Sequence, residues 1–326
     1  MDQRKALAWV SRNIGAFGGD PSKVTMFGES VGGYSVKQLL INPPRPLPFR
    51  AAIIQSQAFG PAGGGEASWA TLVKELECNA TTAAQQLACV LDAPAEAIRN
   101  ILDYRGLSFT PVVDNITNGP FLNDAFYQGS IAEVPILIGT NADEGTVLTS
   151  VMPPPEQMLG AIFGNNTASK ELARLHYPSN ATVAELQSRI LTDYSYTCTT
   201  SAIAELLAHG YQNVWRYFFN ATFPNNTPFK GAGAWHTSEI PLVFGTYRMD
   251  NETTVTQVRL SDSMQSAWAG FAKHPEDGPG WPMVGSQDKD LQLFDTDYAV
   301  RGRTIDRNLV DTVCAYYNVS VRLNGL

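Results

Sequence analysis

A Gly-x-Ser-x-Gly pattern at Gly28, Ser30 and Gly32 is the strongest sign of chemistry in the sequence. It follows a short apolar run at 24–27 and precedes a helical pattern, so the serine is expected on a tight turn from a strand into a helix. In such a nucleophile elbow the hydroxyl points out of the sheet, and the two glycines let the neighbouring chain pass without a clash. The amides and dipole at the start of the helix favour an oxyanion, as acyl transfer requires. The pattern therefore predicts that Ser30 is a nucleophile.

A serine hydroxyl becomes strongly nucleophilic only when a base accepts its proton, so the sequence must also supply a histidine. It contains four, at His176, His209, His236 and His274. His236 follows a glycine-rich stretch at 231–235. Such a loop can carry a side chain over the C-terminal edge of a parallel sheet, where sites of this architecture form. We therefore expect His236 to be the base and the other three histidines to be structural or solvated.

The imidazole needs a carboxylate to orient it, and two adjacent acids compete for that role. Asp143 and Glu144 both follow an apolar strand. Both also satisfy the chain order serine, acid, histidine that is typical of nucleophiles on a strand–turn–helix elbow. Position in the sequence alone does not decide whether Asp143 or Glu144 orients the imidazole.

The elements around these residues alternate between strands and helices. Strands are predicted at 24–27, 51–54, 134–138 and 214–219, and helices at 3–15, 66–77, 82–103, 155–176 and 183–210. This alternation predicts an α/β fold, with a mostly parallel sheet and helices on both of its faces. The helical stretch at 150–212 is expected to be an insertion above the sheet, within a single domain that spans residues 1–326.

Composition and charge exclude several classes of partner. The hydrophobic fraction of 44% and the charged fraction of 17% are those of a globular protein. With 23 Lys and Arg against 31 Asp and Glu, the formal charge is −8, so neither nucleic acid nor an anionic membrane surface is expected as a partner. No stretch reaches the roughly 18 consecutive apolar residues of a membrane span, so stable membrane insertion is not expected. We see no spacing typical of metal ligands and no phosphate-binding glycine loop, so no cofactor is expected. No feature of the sequence sets an oligomeric state.

Glycosylation motifs and cysteines indicate the secretory pathway. Asn-x-Ser/Thr occurs eight times, at Asn79, Asn115, Asn165, Asn180, Asn220, Asn225, Asn251 and Asn318. The 4 cysteines are an even number, as two disulfides require. We therefore expect a secreted, extracellular glycoprotein, although the chain opens directly into a helical pattern without a signal peptide. This combination predicts that an N-terminal part is missing from the sequence.

Several motifs, spread in order over nearly the whole chain, carry a family resemblance. They are residues 2–4 with 16–21, Phe27 to Gly33, Gln55-Ser56, Asp143-Glu144-Gly145, and Trp235 to Gly245. Together they resemble the type-B carboxylesterase/cholinesterase family, whose members are α/β-hydrolases. The resemblance implies that the early strands, the signal peptide and most of the oxyanion-hole amides would precede residue 1.

The resemblance also implies a role for individual residues. It selects Glu144 as the triad acid and leaves Asp143 structural. It assigns the Val31 amide to the oxyanion hole, and it implies that Glu29, next to the nucleophile, tunes the electrostatics of the site. It also places Ser56 beside the triad, and the alternative for Ser56 is an ordinary polar cap at the end of a strand. It further implies that Cys78 pairs with Cys89 and that Cys198 pairs with Cys314.

The expected function is hydrolysis of a small-molecule or lipid ester through an acyl-enzyme on Ser30. A lipase of the same family is a close variant of this hypothesis. A non-catalytic, cholinesterase-like binding protein is an alternative, which the intact triad positions disfavour. An inactive fragment of a longer esterase or lipase is the other alternative.

Overall fold

The central element is a twisted sheet, seen in a computed structural model that describes residues 1–57, 65–109, 111, 114, 118, 122–210, 212–298 and 302–317. Its six strands lie in the order β1 to β6. They are β1 (Thr25–Glu29), β2 (Ala51–Gln55), β3 (Ile136–Asn141), β4 (Val214–Phe219), β5 (Leu291–Phe294) and β6 (Arg303–Ile305). The first five strands are parallel and β6 is antiparallel to β5.

Helices connect the strands. In chain order they are α1 (Asp2–Asn13), α2 (Val31–Ile41), α3 (Gly65–Glu75), α4 (Ala83–Asp92), α5 (Ala95–Arg105), α6 (Leu122–Tyr127), α7 (Pro155–Phe163), α8 (Thr167–His176), α9 (Val183–Leu191), α10 (Thr199–His209), α11 (Ile240–Val243), α12 (Val255–Lys273), α13 (Asn308–Asp311) and α14 (Cys314–Tyr317). A π-helical segment, Thr192–Cys198, joins α9 to α10. The α/β fold expected from the sequence is confirmed.

Alternation along the strands explains why the sheet is covered on both faces. Ile54 and Ile138 belong to one buried apolar cluster, while Ile53 and Leu137 belong to another on the opposite face. Successive side chains of a strand point to opposite faces, so a strand that is apolar at every position must be buried on both. This is why β2 and β3 read as continuous apolar runs and lie inside the sheet.

Several element boundaries differ from those expected. The predicted helix at 82–103 is two helices, because Pro94 lies at the N-cap of α5. The predicted helix at 155–176 is also two, since Gly164 ends α7 with a φ of 56°. Strands β5 and β6 were not predicted, because their 4 and 3 residues are too few to give a clear periodic pattern.

The chain divides into two compact units, which we describe separately. The larger contains the sheet and the described residues of Met1–Phe59 and Asn115–Asn324. The smaller lies within Gly60–Asp114, where α3, α4 and α5 enclose a small core around Leu72 and Val90. The single domain and the insertion at 150–212 stay predictions; between β3 and β4 the described chain is mostly helical after Asn141.

Two disulfides cross-link the chain. Cys78 is bonded to Cys89 in the smaller unit, and Cys198 is bonded to Cys314 in the larger one. These are the pairs that the family resemblance implies. The second bond ties the π-helical segment to α14 across 116 residues of sequence.

Among the described residues, no helix is long and apolar enough to cross a membrane.

Candidate active site

The site is built on the turn between β1 and α2. Ser30 has a φ of 56° and a ψ of −119°, a strained backbone for a residue with a Cβ, and its amide donates to the Gln55 carbonyl at 3.0 Å. A Cβ on Gly28 would lie 2.3 Å from the Gly32 carbonyl oxygen, and one on Gly33 would lie 2.9 Å from the Gln55 oxygen. Gly28 and Gly33 are therefore required by close approach of the backbone.

Gly32, the second glycine of the motif, does not have the steric role expected from the sequence. A Cβ at Gly32 would meet nothing within 4 Å in the described structure. The close backbone contact expected at Gly32 is found instead at Gly33, because Gly33 faces the end of β2.

Three side chains from different elements meet at this turn. The Ser30 Oγ lies 2.8 Å from the His236 Nε2, and the His236 Nδ1 lies 2.6 Å from the Glu144 Oε2. Glu144 is fully buried and His236 is nearly so. The structure therefore brings together the three predicted residues, which are separated by up to 206 positions in sequence.

The neighbouring acid has a different set of partners. The Asp143 Oδ2 accepts from the Ala234 amide at 2.9 Å, and the Asp143 amide donates to the Ala234 carbonyl at 3.0 Å. A Cβ on Gly233 would lie 2.1 Å from the same carboxylate oxygen, so glycine lets the loop close over it. Asp143 thus holds the backbone of the loop that carries His236, while Glu144 contacts the imidazole itself.

The Glu144 carboxylate is fixed by backbone contacts. Its Oε1 accepts from the Asn141 amide at 2.7 Å, which leaves Oε2 for His236. A Cβ on Gly145 would lie 2.2 Å from the Ser188 carbonyl oxygen, and the Gly145 amide donates to the Thr192 Oγ1. The segment after Glu144 is therefore clamped against α9 and the π-helical segment.

A further carboxyl group, Glu239, is fully buried behind the triad. It accepts from the Gln55 Nε2 at 2.7 Å and from the Asn141 Nδ2 at 2.6 Å, and the Trp268 Nε1 donates to the Gln55 Oε1. Burial first, and then the charge of Glu144, raise the pKa of Glu239 to about 7. Glu239 was missed by the sequence analysis, although it lies three residues after His236.

The imidazole sits among several acids. Glu29 Oε1 lies 3.3 Å from His236 Nε2. Burial, with contributions from Glu239 and Glu144, raises the pKa of Glu29 to about 7 against the opposing charge of His236. Burial by itself would lower the pKa of His236, but the hydrogen bond and charge of Glu144, with Glu29 and Glu239, raise it above the ordinary value. The surrounding charge therefore favours the imidazolium.

The remaining predicted residues have these positions. Ser56, at the end of β2, has a φ of 46°, and its buried Oγ has no hydrogen-bond partner in the described part of the chain. Val31 begins α2 with an exposed side chain. Tyr196, which the sequence analysis missed, packs its ring 5.1 Å from the His236 ring. Its signal is indirect, because a π-helical turn often marks a functional site but is not visible in sequence.

The other three histidines lie elsewhere. His176 packs against Tyr316, with ring centroids 5.0 Å apart. The His209 Nδ1 lies 2.7 Å from the Glu205 carbonyl oxygen, and His274 caps the end of α12. In the ranges the structure describes, no group of three or more His, Cys, Asp or Glu has the geometry to hold a metal ion.

Comparison with known proteins gives one family match and several relatives. Residues 1–316 match the carboxylesterase family. The chain is 29% identical over 90% of its length to secreted lipase 5 of Gibberella zeae, and 32% identical over 92% to para-nitrobenzyl esterase of Bacillus subtilis. It is 28% identical over 91% to cholinesterase of Mus musculus. It spans 55%, 64% and 56% of the lengths of these three relatives, respectively.

Proposed function

Because the chain belongs to the carboxylesterase family, we propose that it hydrolyses carboxylic esters through Ser30, His236 and Glu144. The observation that carries the proposal is the unbroken pair of hydrogen bonds from Glu144 through His236 to Ser30, at 2.6 and 2.8 Å. The names of two relatives, a lipase and an esterase, support the same reaction class.

In the acylation step, the Ser30 Oγ attacks the ester carbonyl carbon while the His236 Nε2 accepts the hydroxyl proton. The tetrahedral intermediate collapses as the carbon–oxygen bond to the alcohol breaks, and His236 returns the proton to the leaving oxygen. Glu144 holds the imidazole by its Nδ1–H and stabilises the imidazolium. The product is an acyl group on Ser30 and a free alcohol.

In the deacylation step, water replaces the alcohol. His236 accepts a proton from the water as it attacks the acyl carbonyl, and then returns that proton to Ser30 as the carboxylic acid leaves. Among the groups of this chain, the Val31 amide supports the oxyanion in both steps. It is the first amide of α2, an 11-residue helix whose N-terminus favours negative charge.

The substrate is a small-molecule or lipid ester, and the protein is an extracellular glycoprotein. Two disulfides support an oxidising compartment. Asn115 and Asn318 lie outside the described residues. Of the other sequons, those with exposed asparagines are Asn79, Asn165, Asn180, Asn220 and Asn251.

Asn225 is expected to remain unglycosylated in the folded protein. Its Nδ2 donates to the Arg248 carbonyl at 2.7 Å and to the Thr253 Oγ1 at 3.1 Å, and its Oδ1 accepts from Gln257. A glycan on Nδ2 would remove one of these hydrogens and displace the chain before α12. Glycopeptide mapping after production in a eukaryotic secretory pathway should find glycan on Asn180 but not on Asn225. Comparable occupancy at the two sites would contradict the expectation.

Labelling with a fluorophosphonate probe tests the proposed chemistry directly. The probe reacts with a serine that is activated by its base and an oxyanion site, so the folded chain should be labelled on Ser30. Ser30→Ala should abolish the labelling, while Ser35→Ala, which removes a half-buried hydroxyl one turn along α2, should retain it. A folded chain that takes no label would overturn the claim that this chain acts by itself and would favour a binding protein or an inactive fragment.

A further inference from the structure

We propose that Lys37 and Gln57 form a carboxylate-binding subsite beside Ser30, which takes the distal carboxylate of an ester whose acyl group is a short dicarboxylic acid. The inference rests on the proposed function and specifies its substrate class. It is carried by two buried polar side chains that the triad does not use.

Among the described residues, Lys37 is a buried cation without a counter-charge. It lies on α2 and is only 4% exposed. In the described structure no carboxylate or hydrogen-bond acceptor pairs with its ammonium group, whose polar contact is the face of the Tyr34 ring at 5.0 Å. A lysine that served only to pack its stem would hold its charge in water. Burial instead lowers the pKa of Lys37 to about 8, which is the effect of a desolvated charge without a partner.

The ammonium lies toward the nucleophile. Lys37 lies two helical turns beyond Ser30, the N-cap of α2, so the two residues are about 10 Å apart along the axis. Side chains of a helix lean toward its N-terminus, and the contact with Tyr34 places the Lys37 ammonium one turn nearer to Ser30. The remaining axial distance is about 6 Å, close to the length of a succinyl or glutaryl chain.

Gln57 is a second buried polar side chain, on the side of α2 that faces the end of β2. It is fully buried just after β2, and in the described chain neither its Oε1 nor its Nε2 has a hydrogen-bond partner. A Cβ on Gly33 would lie 3.0 Å from the Gln57 Cβ, so Gln57 packs on the turn of α2 that precedes Lys37. A buried amide without partners destabilises a fold, so a ligand or water is expected beside it. An amide N–H and an ammonium together suit a carboxylate.

The charges around the triad decide which part of the ester carries the carboxylate. His236 protonates the leaving alcohol, so the alcohol part faces the side where Glu29, Glu144 and Glu239 lie. A further carboxylate there would be repelled. The acyl part extends away from His236, and Lys37 is the buried cation on α2 that can pair with an anion on that part.

A matched pair of substrates tests the specificity. Mono-p-nitrophenyl glutarate and p-nitrophenyl pentanoate differ mainly in the distal carboxylate, so their ratio of kcat/KM measures its recognition and cancels any general change in activity. Lys37→Met should lower this ratio about tenfold or more, the range expected for a charged hydrogen bond. Lys23→Met removes the same charge from an exposed position before β1 and should leave the ratio unchanged. An equal ratio in wild type and Lys37→Met would overturn the proposal.

A binding experiment separates this inference from the proposed function. In Ser30→Ala protein with labelled lysine side chains, saturating glutarate should raise the pKa of the Lys37 ammonium by about one unit, the effect of a nearby opposite charge, while glutaramide should not. Lys37→Arg assigns the resonance and keeps the charge if Lys37→Met fails to fold. If wild-type protein hydrolyses neither ester but the pKa of Lys37 responds to glutarate, the proposed subsite would be supported and the proposed esterase function would be overturned. If both esters are hydrolysed with equal kcat/KM and the pKa of Lys37 does not respond to glutarate, the esterase function would be supported and the subsite would be overturned.

Discussion

Glu144→Gln is expected to lower kcat for ester hydrolysis by about 10,000-fold, the size of effect seen when an amide replaces a triad carboxylate. The glutamine would keep the hydrogen bond from the Asn141 amide but could present its NH₂ to the His236 Nδ1. The imidazole would then carry its proton on Nε2, where it cannot accept the proton of Ser30. Steady-state kinetics with a p-nitrophenyl ester would measure the loss.

A pH profile distinguishes this role from a structural one. Glu144 raises the pKa of His236 through its hydrogen bond and charge, so removing the charge should lower that pKa. The acid limb of kcat/KM, where His236 is protonated and inactive, should therefore move to lower pH in any residual activity. Loss of activity without this movement would indicate a structural role.

Asp143→Asn is the matched control for the acid. An asparagine retains an oxygen that can accept from the Ala234 amide, so the loop that carries His236 should keep its position. We expect activity within about tenfold of wild type, the effect of a weakened hydrogen bond. If Asp143→Asn lost as much activity as Glu144→Gln, the choice between the two acids would be wrong.

Arg216→Met is expected to destabilise the larger unit by about 3–5 kcal/mol, the usual effect of breaking a buried ion pair. Arg216 lies on β4 with 1% exposure, and its Nη2 donates to the Asp311 Oδ1 at 2.8 Å. The Ser201 Oγ donates to the other Asp311 oxygen at 2.7 Å. The substitution leaves the Asp311 carboxylate largely buried and without its cation, and Tm measured by thermal unfolding should fall by roughly 10 °C.

The double variant Arg216→Met, Asp311→Leu should recover most of that loss, because an apolar pair of similar volume carries no desolvation penalty. Arg174→Met breaks an exposed ion pair with Glu156 and should leave Tm nearly unchanged. A single variant as stable as wild type would show that Asp311 gains solvent or another partner when Arg216 is lost.

Local sequence was sufficient to predict those elements whose structure is set by residues close together in the chain. The strand, Ser30 and the helix after it lie within 17 consecutive positions, Thr25 to Ile41, and the pattern of apolar residues and glycines predicted all three. Strands β2 and β3 were also predicted, because a strand buried on both faces must be apolar at nearly every position. Strands β5 and β6 were missed because their 4 and 3 residues are too few to give a clear periodic pattern.

The sequence by itself determined the types of the proposed triad residues and their order, since only four histidines and one pair of acids after a buried strand were available. Position along the chain left the choice of acid open, and the family resemblance selected Glu144. The physical reason is tertiary: the loop closes over Asp143 at Gly233, and the Glu144 Oε2 lies 2.6 Å from the His236 Nδ1. It also decided the positions of Glu239, Tyr196 and Gln57, which were not singled out as site residues. Their proximity to the site follows from the packing of separate elements, and no spacing along the chain encodes a contact of that kind.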